Sequence, residues 1–426
     1  MKIIILFCSI VLLGSSCKKE IPFAFTPSSC YYCPVDTPKY QVIWQVPIFK
    51  DTNSTTATYP FIWKDIILIP HDPETPKDNS ALSAFDRKTG KPIYEWNGYN
   101  MVRGASTYDP TKVTQIKNKM ILNTDWRDIY VLDAQTGQIT WTTNVETGNG
   151  DPRISSFGDY IYHNRSDTTG QMYYAVRANV NIARWDTVYS VINHERVSGL
   201  EPPTGYVNPA GDTLLIFQNR SYVIKTNKGI ADLYIYNLTK KRDEFIFKDF
   251  DPNGSATSVD PPVIYKNKLY FMGSSIIYCI NLESGKIEWQ RNFQDGFYEG
   301  SLVVAEEKLF IKTTNEALYA VNLQDGTTVW QSKSDYGSSC SRMVYYNGYL
   351  YYTGAVSNGG LFVVQAATGY IIWNYKSINQ FDTPLNNYRT KGDTFFGRKG
   401  GVTIDSALNC LYVTDNRYLM CIKLPK

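Results

Sequence analysis

The chain has 426 residues, more than one compact core usually holds, so it either divides into domains or repeats a small unit around an axis. Phe, Trp and Tyr make up 14% of it, in short apolar runs broken by Gly, Asn and Asp, a texture that favours repeated strands. The net charge of +3 is spread without a long basic block, which excludes nucleic acid as a partner, because phosphate neutralisation needs clustered Lys and Arg.

Taken in chain order, the first residues are an address. Lys2 is followed by the apolar run Ile3 to Leu13, too short to span a bilayer and suited to a signal-peptide core. Gly14-Ser15-Ser16 then precede Cys17, an arrangement that resembles a bacterial lipoprotein processing site. Gly14 stands where Leu is usual, as in the looser boxes of Bacteroidetes-type lipoproteins. The expectation is a signal peptide over 1–16 with Cys17 as the lipidated residue; simple cleavage without lipid is the alternative. Residues 17–38, containing Pro and Ser, read as a tether that joins the folded body to a membrane through the lipid. Cys30 and Cys33 lie in this tether with redox spacing but no following helix, so a small structural disulfide is the expected pairing.

From residue 39 to the C-terminus the chain repeats. LSAFDRKTGKPIYEW ends at Trp96, IYVLDAQTGQITW at Trp141, IYCINLESGKIEW at Trp289, LYAVNLQDGTTVW at Trp330 and LFVVQAATGYIIW at Trp373. Each is an apolar strand, a turn closed by Gly, and a short strand ending in Trp. Two further strands stand upstream, as in SLVVAEEKLFIKT, giving four antiparallel strands per unit of propeller-blade size. Two units are degenerate: about 153–191 with Trp185 in the Trp position, and about 206–249 with Phe245 or Phe247 there. After Trp373 the chain supplies three strands and stops, while YQVIWQVPI near the start is one orphan strand carrying Trp44. That strand completes the last unit and removes two open edges, so the expected fold is all-β: an eight-bladed propeller closed by its N-terminal strand.

The repeat resembles that of the pyrroloquinoline-quinone (PQQ)-type propellers over nearly all of residues 39–426. The resemblance implies either a quinoprotein dehydrogenase or a cofactor-free lipoprotein similar to the barrel-assembly scaffold of the outer membrane. The dehydrogenases hold the flat quinone between a disulfide of adjacent cysteines and a Trp, with calcium beside it. This chain has no adjacent cysteines, and only Trp63 and Trp126 stand outside blade positions, so PQQ is not expected.

Other chemistry is sparse. Cys279 and Cys421 share one repeat position with Ala84, Ala320, Val131 and Val363, which makes them core residues; Cys410 and Cys421 flank a turn and are also candidates for a disulfide. Asp249, Asp251, Asn253, Ser255, Thr257 and Asp260, with Gly254 at the sharp bend, reproduce the oxygen spacing of a calcium loop. Pro252, the short Asp260 and the flanking strands depart from it, and a polar inter-blade turn is the competing reading. His71, His163 and His194 are scattered, and no nucleophile elbow or phosphate loop occurs. No catalytic residue is therefore assigned and no cofactor is expected.

What remains is a surface. The blade-to-blade connections and the turns between second and third strands share one end of the ring. They carry Arg103, Trp126, Arg127, Arg153, Arg165, Arg220, Arg342, Arg389, Arg398 and Arg417, with Tyr108, Tyr298, Tyr336 and Tyr388. Arg and aromatic residues are interface anchors, so the expectation is a binding scaffold of the bacterial envelope that docks a protein partner. Interleaved Asp125, Asp151 and Asp335 allow solvated loops instead. A glycan-binding surface lipoprotein and a divergent propeller enzyme are the other readings carried forward.

Overall fold

A computed structural model of the chain describes residues 40–48, 59–70, 82–96, 113–123, 128–144, 153–167, 172–192, 196–223, 228–250, 261–333, 341–354, 360–379, 401–415 and 417–425. These form eight antiparallel sheets and no helix. Blade 1 consists of Phe61–Trp63, Ile66–Pro70, Leu82–Asp86 and Pro92–Trp96, hydrogen-bonded in that order from inner to outer strand. Blades 2 to 7 follow along the chain, beginning at Val113, Ile154, Arg196, Val263, Phe297 and Val344.

Blade 8 closes the ring as the sequence implies. Its inner strands are Val402–Asp405, Cys410–Thr414 and Tyr418–Lys423, and its outer strand is the N-terminal Val42–Pro47. Val42 lies opposite Ile422 and Pro47 opposite Tyr418. The Lys423 amide donates to the Gln41 carbonyl at 2.9 Å, and the Ile48 amide to Arg417 at 2.9 Å, extending the ladder past both ends.

The burial of each strand follows from its place in the blade. Third strands such as Ile276–Asn281 and Leu361–Gln365 are covered on both faces by neighbouring blades and read as unbroken apolar runs. Outer strands such as Ile287–Asn292 have one covered face and alternate. The apolar core is accordingly not one mass but eight, each shared by two adjacent blades. Blades 1 and 2 meet through Leu68, Ala84, Met120 and Leu132; blades 8 and 1 meet through Tyr412, Cys421, Ile67 and Phe85.

Aromatic side chains lock each blade to the next. The Trp289 ring lies over Gly326 of blade 6, where an added Cβ would come within 2.8 Å of it and where φ is +71°, so only Gly serves. Its indole N–H donates at 3.0 Å to Leu323 O, just after the residue that caps the turn. Trp330 to Ala366 O at 2.9 Å and Trp141 to Val180 O at 2.9 Å repeat the contact. Phe245 takes the position in blade 4, over Gly285. Trp44 takes it in blade 8, lying over Gly90. Trp373 lies opposite Val363 in the same register and packs against Tyr40 at the ring closure.

Two tryptophans of the repeat do not lock in this way. In blade 1 the strand bulge sets Tyr94 opposite Ala84, and Tyr94 packs over Gly137 and donates to Ala134 O at 2.8 Å. Trp96 lies two residues further on and packs against Tyr130 instead, at 5.0 Å between ring centroids. In blade 3 the bulge comes earlier and places Tyr189 opposite Ala175. Tyr189 stacks on Phe217 of blade 4 at 4.9 Å, whereas Trp185 sits edge-on to His163 of its own blade.

Blade 4 departs from the four-stranded plan. Its second and third strands, Thr213–Val223 and Lys228–Asn237, have 11 and 10 residues where blade 1 has five each. Thr204–Val207 pairs with one half of the longer strand, and an added strand, Arg196–Leu200, pairs with the other. The unit thus begins about ten residues before the boundary its repeat suggests.

Candidate functional site

The two ends of the ring differ in kind. At one end lie the turns between third and outer strands, and these satisfy themselves. Asp86 Oδ1, for example, accepts the Lys88 amide at 3.1 Å, the Thr89 amide at 2.8 Å and the Thr89 hydroxyl at 2.7 Å. Those bonds hold the Asp86 carboxyl below its ordinary range. Such turns shape the chain locally and leave little to offer a ligand.

At the other end the second strands run out toward the blade-to-blade connections. The position opposite the residue four before each turn cap holds Pro70, Asn123, Asn164, Gln218, Met272, Lys312, Thr353 and Thr414. Only Pro70 and Met272 are not polar donors or acceptors. Asn123, Gln218, Lys312, Thr353 and Thr414 are nevertheless buried. Burying polar groups costs stability unless they are paired, so a polar column that recurs at one end of most blades marks that end for something other than folding, although Asp212, Asn237 and Asp405 are buried at the other.

Three clusters elaborate it. In blade 8, Asp415 follows Thr414 and is 1% exposed. It accepts the Ser377 hydroxyl at 2.7 Å, the Asn379 amide at 3.0 Å and the Arg417 and Tyr418 backbone amides at 2.9 and 2.6 Å. Burial still pushes its carboxyl above the ordinary range. In blade 4, buried Asp232 accepts Lys248 Nζ at 3.3 Å, the Tyr234 hydroxyl at 3.2 Å and the Asp249 amide at 2.9 Å. Between blades 3 and 4, Arg153 pairs with Glu201 at 2.9 Å, both largely buried.

The fourth group sits where the inner strands of blades 7, 8 and 1 begin. Lys312 is fully buried; its ammonium donates to Ser341 O and lies 4.8 Å from the Tyr352 ring centroid. Ser341 Oγ accepts the Thr353 amide at 2.9 Å, and its own amide donates to Thr353 O at 2.8 Å, which fixes that carbonyl. The next residue, Arg342, is exposed and stacks its guanidinium on Tyr59 of blade 1 at 4.2 Å. Gly300 permits the arrangement, since a Cβ there would lie 2.4 Å from Arg342 Cα.

Arg153, Arg165, Arg342 and Arg417 of the expected binding set therefore come to this polar end. Arg165 rests on the Tyr174 ring at 5.5 Å. Arg220 lies in the elongated second strand of blade 4 and Tyr298 in the inner strand of blade 6. Arg103, Trp126, Arg127, Arg389, Arg398, Tyr108, Tyr336 and Tyr388 fall outside the described residues, as do Cys17, Cys30 and Cys33. Of the calcium loop only Asp249 is described; Asp251, Asn253, Ser255 and Asp260 lie outside. Cys279, Cys410 and Cys421 are free and buried, so the disulfide considered for Cys410 and Cys421 is not formed. Lys312, Asp232, Glu201 and Asp415 were not singled out from the sequence, although aligning the ends of the second strands exposes the first as a Lys in an otherwise neutral column.

Among the described residues no three of His, Cys, Asp and Glu converge to hold a metal. The described cysteines are spread over blades 5 and 8 and locked in inter-blade cores, so they form no clamp for a flat quinone.

Fold and repeat together define the class: an eight-bladed β-propeller whose repeat is similar to that of the PQQ-like propellers. Within that class, residues 240–393 match the family model described as outer membrane protein assembly factor BamB. A BamB of Salmonella typhimurium is 32% identical over 97 residues, covering 20% of this chain and 24% of that protein, so the match spans about a quarter of the relative's length. Among solved structures, BamB from Moraxella catarrhalis superposes with a TM-score of 0.56 at 12% identity, over 90% of this chain and 97% of that one. The quinohemoprotein alcohol dehydrogenase ADHIIG of Pseudomonas putida gives 0.61 at 10% identity, over 90% and 76%. At those identities the likeness is one of fold, and it extends equally to an enzyme and to an assembly factor.

Proposed function

We propose that this chain is a non-catalytic scaffold of the bacterial envelope that docks a protein partner on the polar end of its ring. In this reading residues 1–16 are a signal peptide, Cys17 carries lipid and residues 17–38 tether the propeller to the outer membrane. The observation that carries it is the asymmetry of the ring: one end closes on itself in capped turns, and the other gathers buried polar groups and arginines. The family match supports the same role, because residues 240–393 contain blades 5 to 7 and resemble a protein named for outer-membrane assembly. Arg153, Arg165, Arg342 and Arg417 at that end are assigned to the partner, together with Arg103, Trp126, Arg127, Arg389 and Arg398, which lie outside the described residues.

The test is a pull-down from detergent-solubilised envelope with the acylated protein as bait and a Cys17→Ala form as the soluble control. Stoichiometric recovery of a membrane barrel or of its assembly factors is the expected result. Recovery of the bait alone overturns the scaffold reading and makes a glycan-array screen the next step.

A further inference from the structure

From the Lys312–Arg342 pair we infer a carboxylate-binding site at the inner rim of blade 7, built to receive an acidic segment of the docked protein. The inference rests on the polar end being the docking face and specifies what that face recognises. Among the described residues Lys312 is the only buried cation. Its described partners are a backbone carbonyl and an aromatic ring face, and no described carboxylate pairs with it. A carbonyl and a ring face offset little of the field of an ammonium.

That field reaches the surface through the neighbouring residue. Arg342 likewise makes no ion pair with a described carboxylate, unlike Arg87 with Asp405 or Arg153 with Glu201. Its guanidinium is exposed but immobilised on the Tyr59 ring, which leaves an oriented edge of N–H donors. A planar, pre-set fork beside a second positive charge fits the two oxygens of a carboxylate.

A protein carboxylate is chosen as the occupant because the planar guanidinium fork matches its two oxygens, and a lipid phosphate is one of the outcomes the experiment separates.

The experiment uses the full chain with an eight-residue oligoglutamate as probe and oligoglutamine as control, at constant ionic strength, read by calorimetry and thermal melting. Oligoglutamate is expected to bind and to raise the melting temperature, and Arg342→Gln to weaken binding at least tenfold. Lys312→Met is expected to weaken binding too, while melting no lower than the parent, since an apolar side chain of similar volume replaces an unpaired buried charge. Lys88→Gln, on the opposite end, is expected to bind as the parent does. Equal affinity for the two peptides, or an Arg342→Gln protein that binds like the parent, overturns the site. Binding of tripolyphosphate or anionic vesicles, but not of oligoglutamate, overturns the assignment to protein carboxylates. The pull-down tests the scaffold reading separately: an empty pull-down with Arg342-dependent peptide binding leaves the site and removes the scaffold.

Discussion

One ion pair joins blades 8 and 1 beside the strand that closes the ring, and its removal has a calculable cost. Arg87, in the turn after the third strand of blade 1, donates through Nε and Nη2 to both oxygens of Asp405 at the end of the inner strand of blade 8. Asp405 also accepts the Leu408 amide at 3.1 Å and the Tyr412 hydroxyl at 3.0 Å, and its side chain is 1% exposed against 18% for Arg87. Breaking a buried pair by removing one member costs about 3–5 kcal/mol. Asp405→Asn keeps acceptors for Leu408 and Tyr412 and leaves a guanidinium that reaches water, so it belongs at the low end, about 3 kcal/mol. Arg87→Met strands the buried carboxylate and belongs at the high end, about 5 kcal/mol.

The pH dependence has a definite sign. Burial alone would push the Asp405 carboxyl up, but the Arg87 guanidinium, the Leu408 amide and the Tyr412 hydroxyl hold it below its ordinary range. A depressed carboxyl contributes stability that is complete above its unfolded pKa of about 3.9 and is lost as pH falls through the folded value. The deficit of Asp405→Asn should therefore be full at pH 7 and shrink below about pH 4. Urea unfolding followed by both circular dichroism and Trp fluorescence, for the two single variants and the double, measures it. A coupling energy under about 0.5 kcal/mol, or a deficit constant from pH 7 to pH 3, would refute the idea that this pair latches the ring.

Three further outcomes follow from the packing. His163 is fully buried, and burial depresses its pKa from 6.5 to about 3, with no described partner for either ring nitrogen. The fold keeps it neutral while the unfolded chain takes up a proton, so stability is lost as pH falls from about 6.5, by about 2 kcal/mol at pH 5. His163→Leu should not show that loss, and a difference between the two proteins that is equal at pH 7.5 and pH 5 would rule the assignment out. Gly326→Ala should lower stability by about 1–3 kcal/mol, because it adds a Cβ at positive φ against the Trp289 ring; an unchanged urea midpoint would contradict the locking contact. Tyr189→Ala should cost about 3 kcal/mol by emptying the junction between blades 3 and 4, and protease digestion should then cut first near that junction.

The fold was legible because a propeller repeats its instructions. Five copies of a turn ending in Gly and then Trp gave the blade, and an orphan strand at one terminus with three strands at the other gave the closure. Legibility failed in two different ways. Trp96 matched by residue type but stands ten residues after Asp86, whereas Tyr94 keeps the eight-residue spacing of Trp141 and takes the locking position; in blade 3 a displaced bulge, which no single strand reveals, gave it to Tyr189. The added strand Arg196–Leu200 was missed because its partner is the far half of an over-long second strand. For the site, the arginines were visible as residue types in connections. Lys312 was not, since a lysine in an apolar strand reads as an exposed end until the fold buries it.

Each position in a blade recurs around the ring, and this separates what the fold needs from what the chain adds. Turn caps and locking aromatics vary little from blade to blade, since each blade must grip the next. The second-strand position opposite the residue four before the cap is under no such demand: Pro70, Met272 and Thr414 serve there as well as Asn123 does. A charged residue in that column is not explained by the fold, which is why Lys312 carries weight that a surface lysine would not. A partner that binds at that column meets the part of the propeller most free to change in sequence, away from the locking aromatics on which each blade depends.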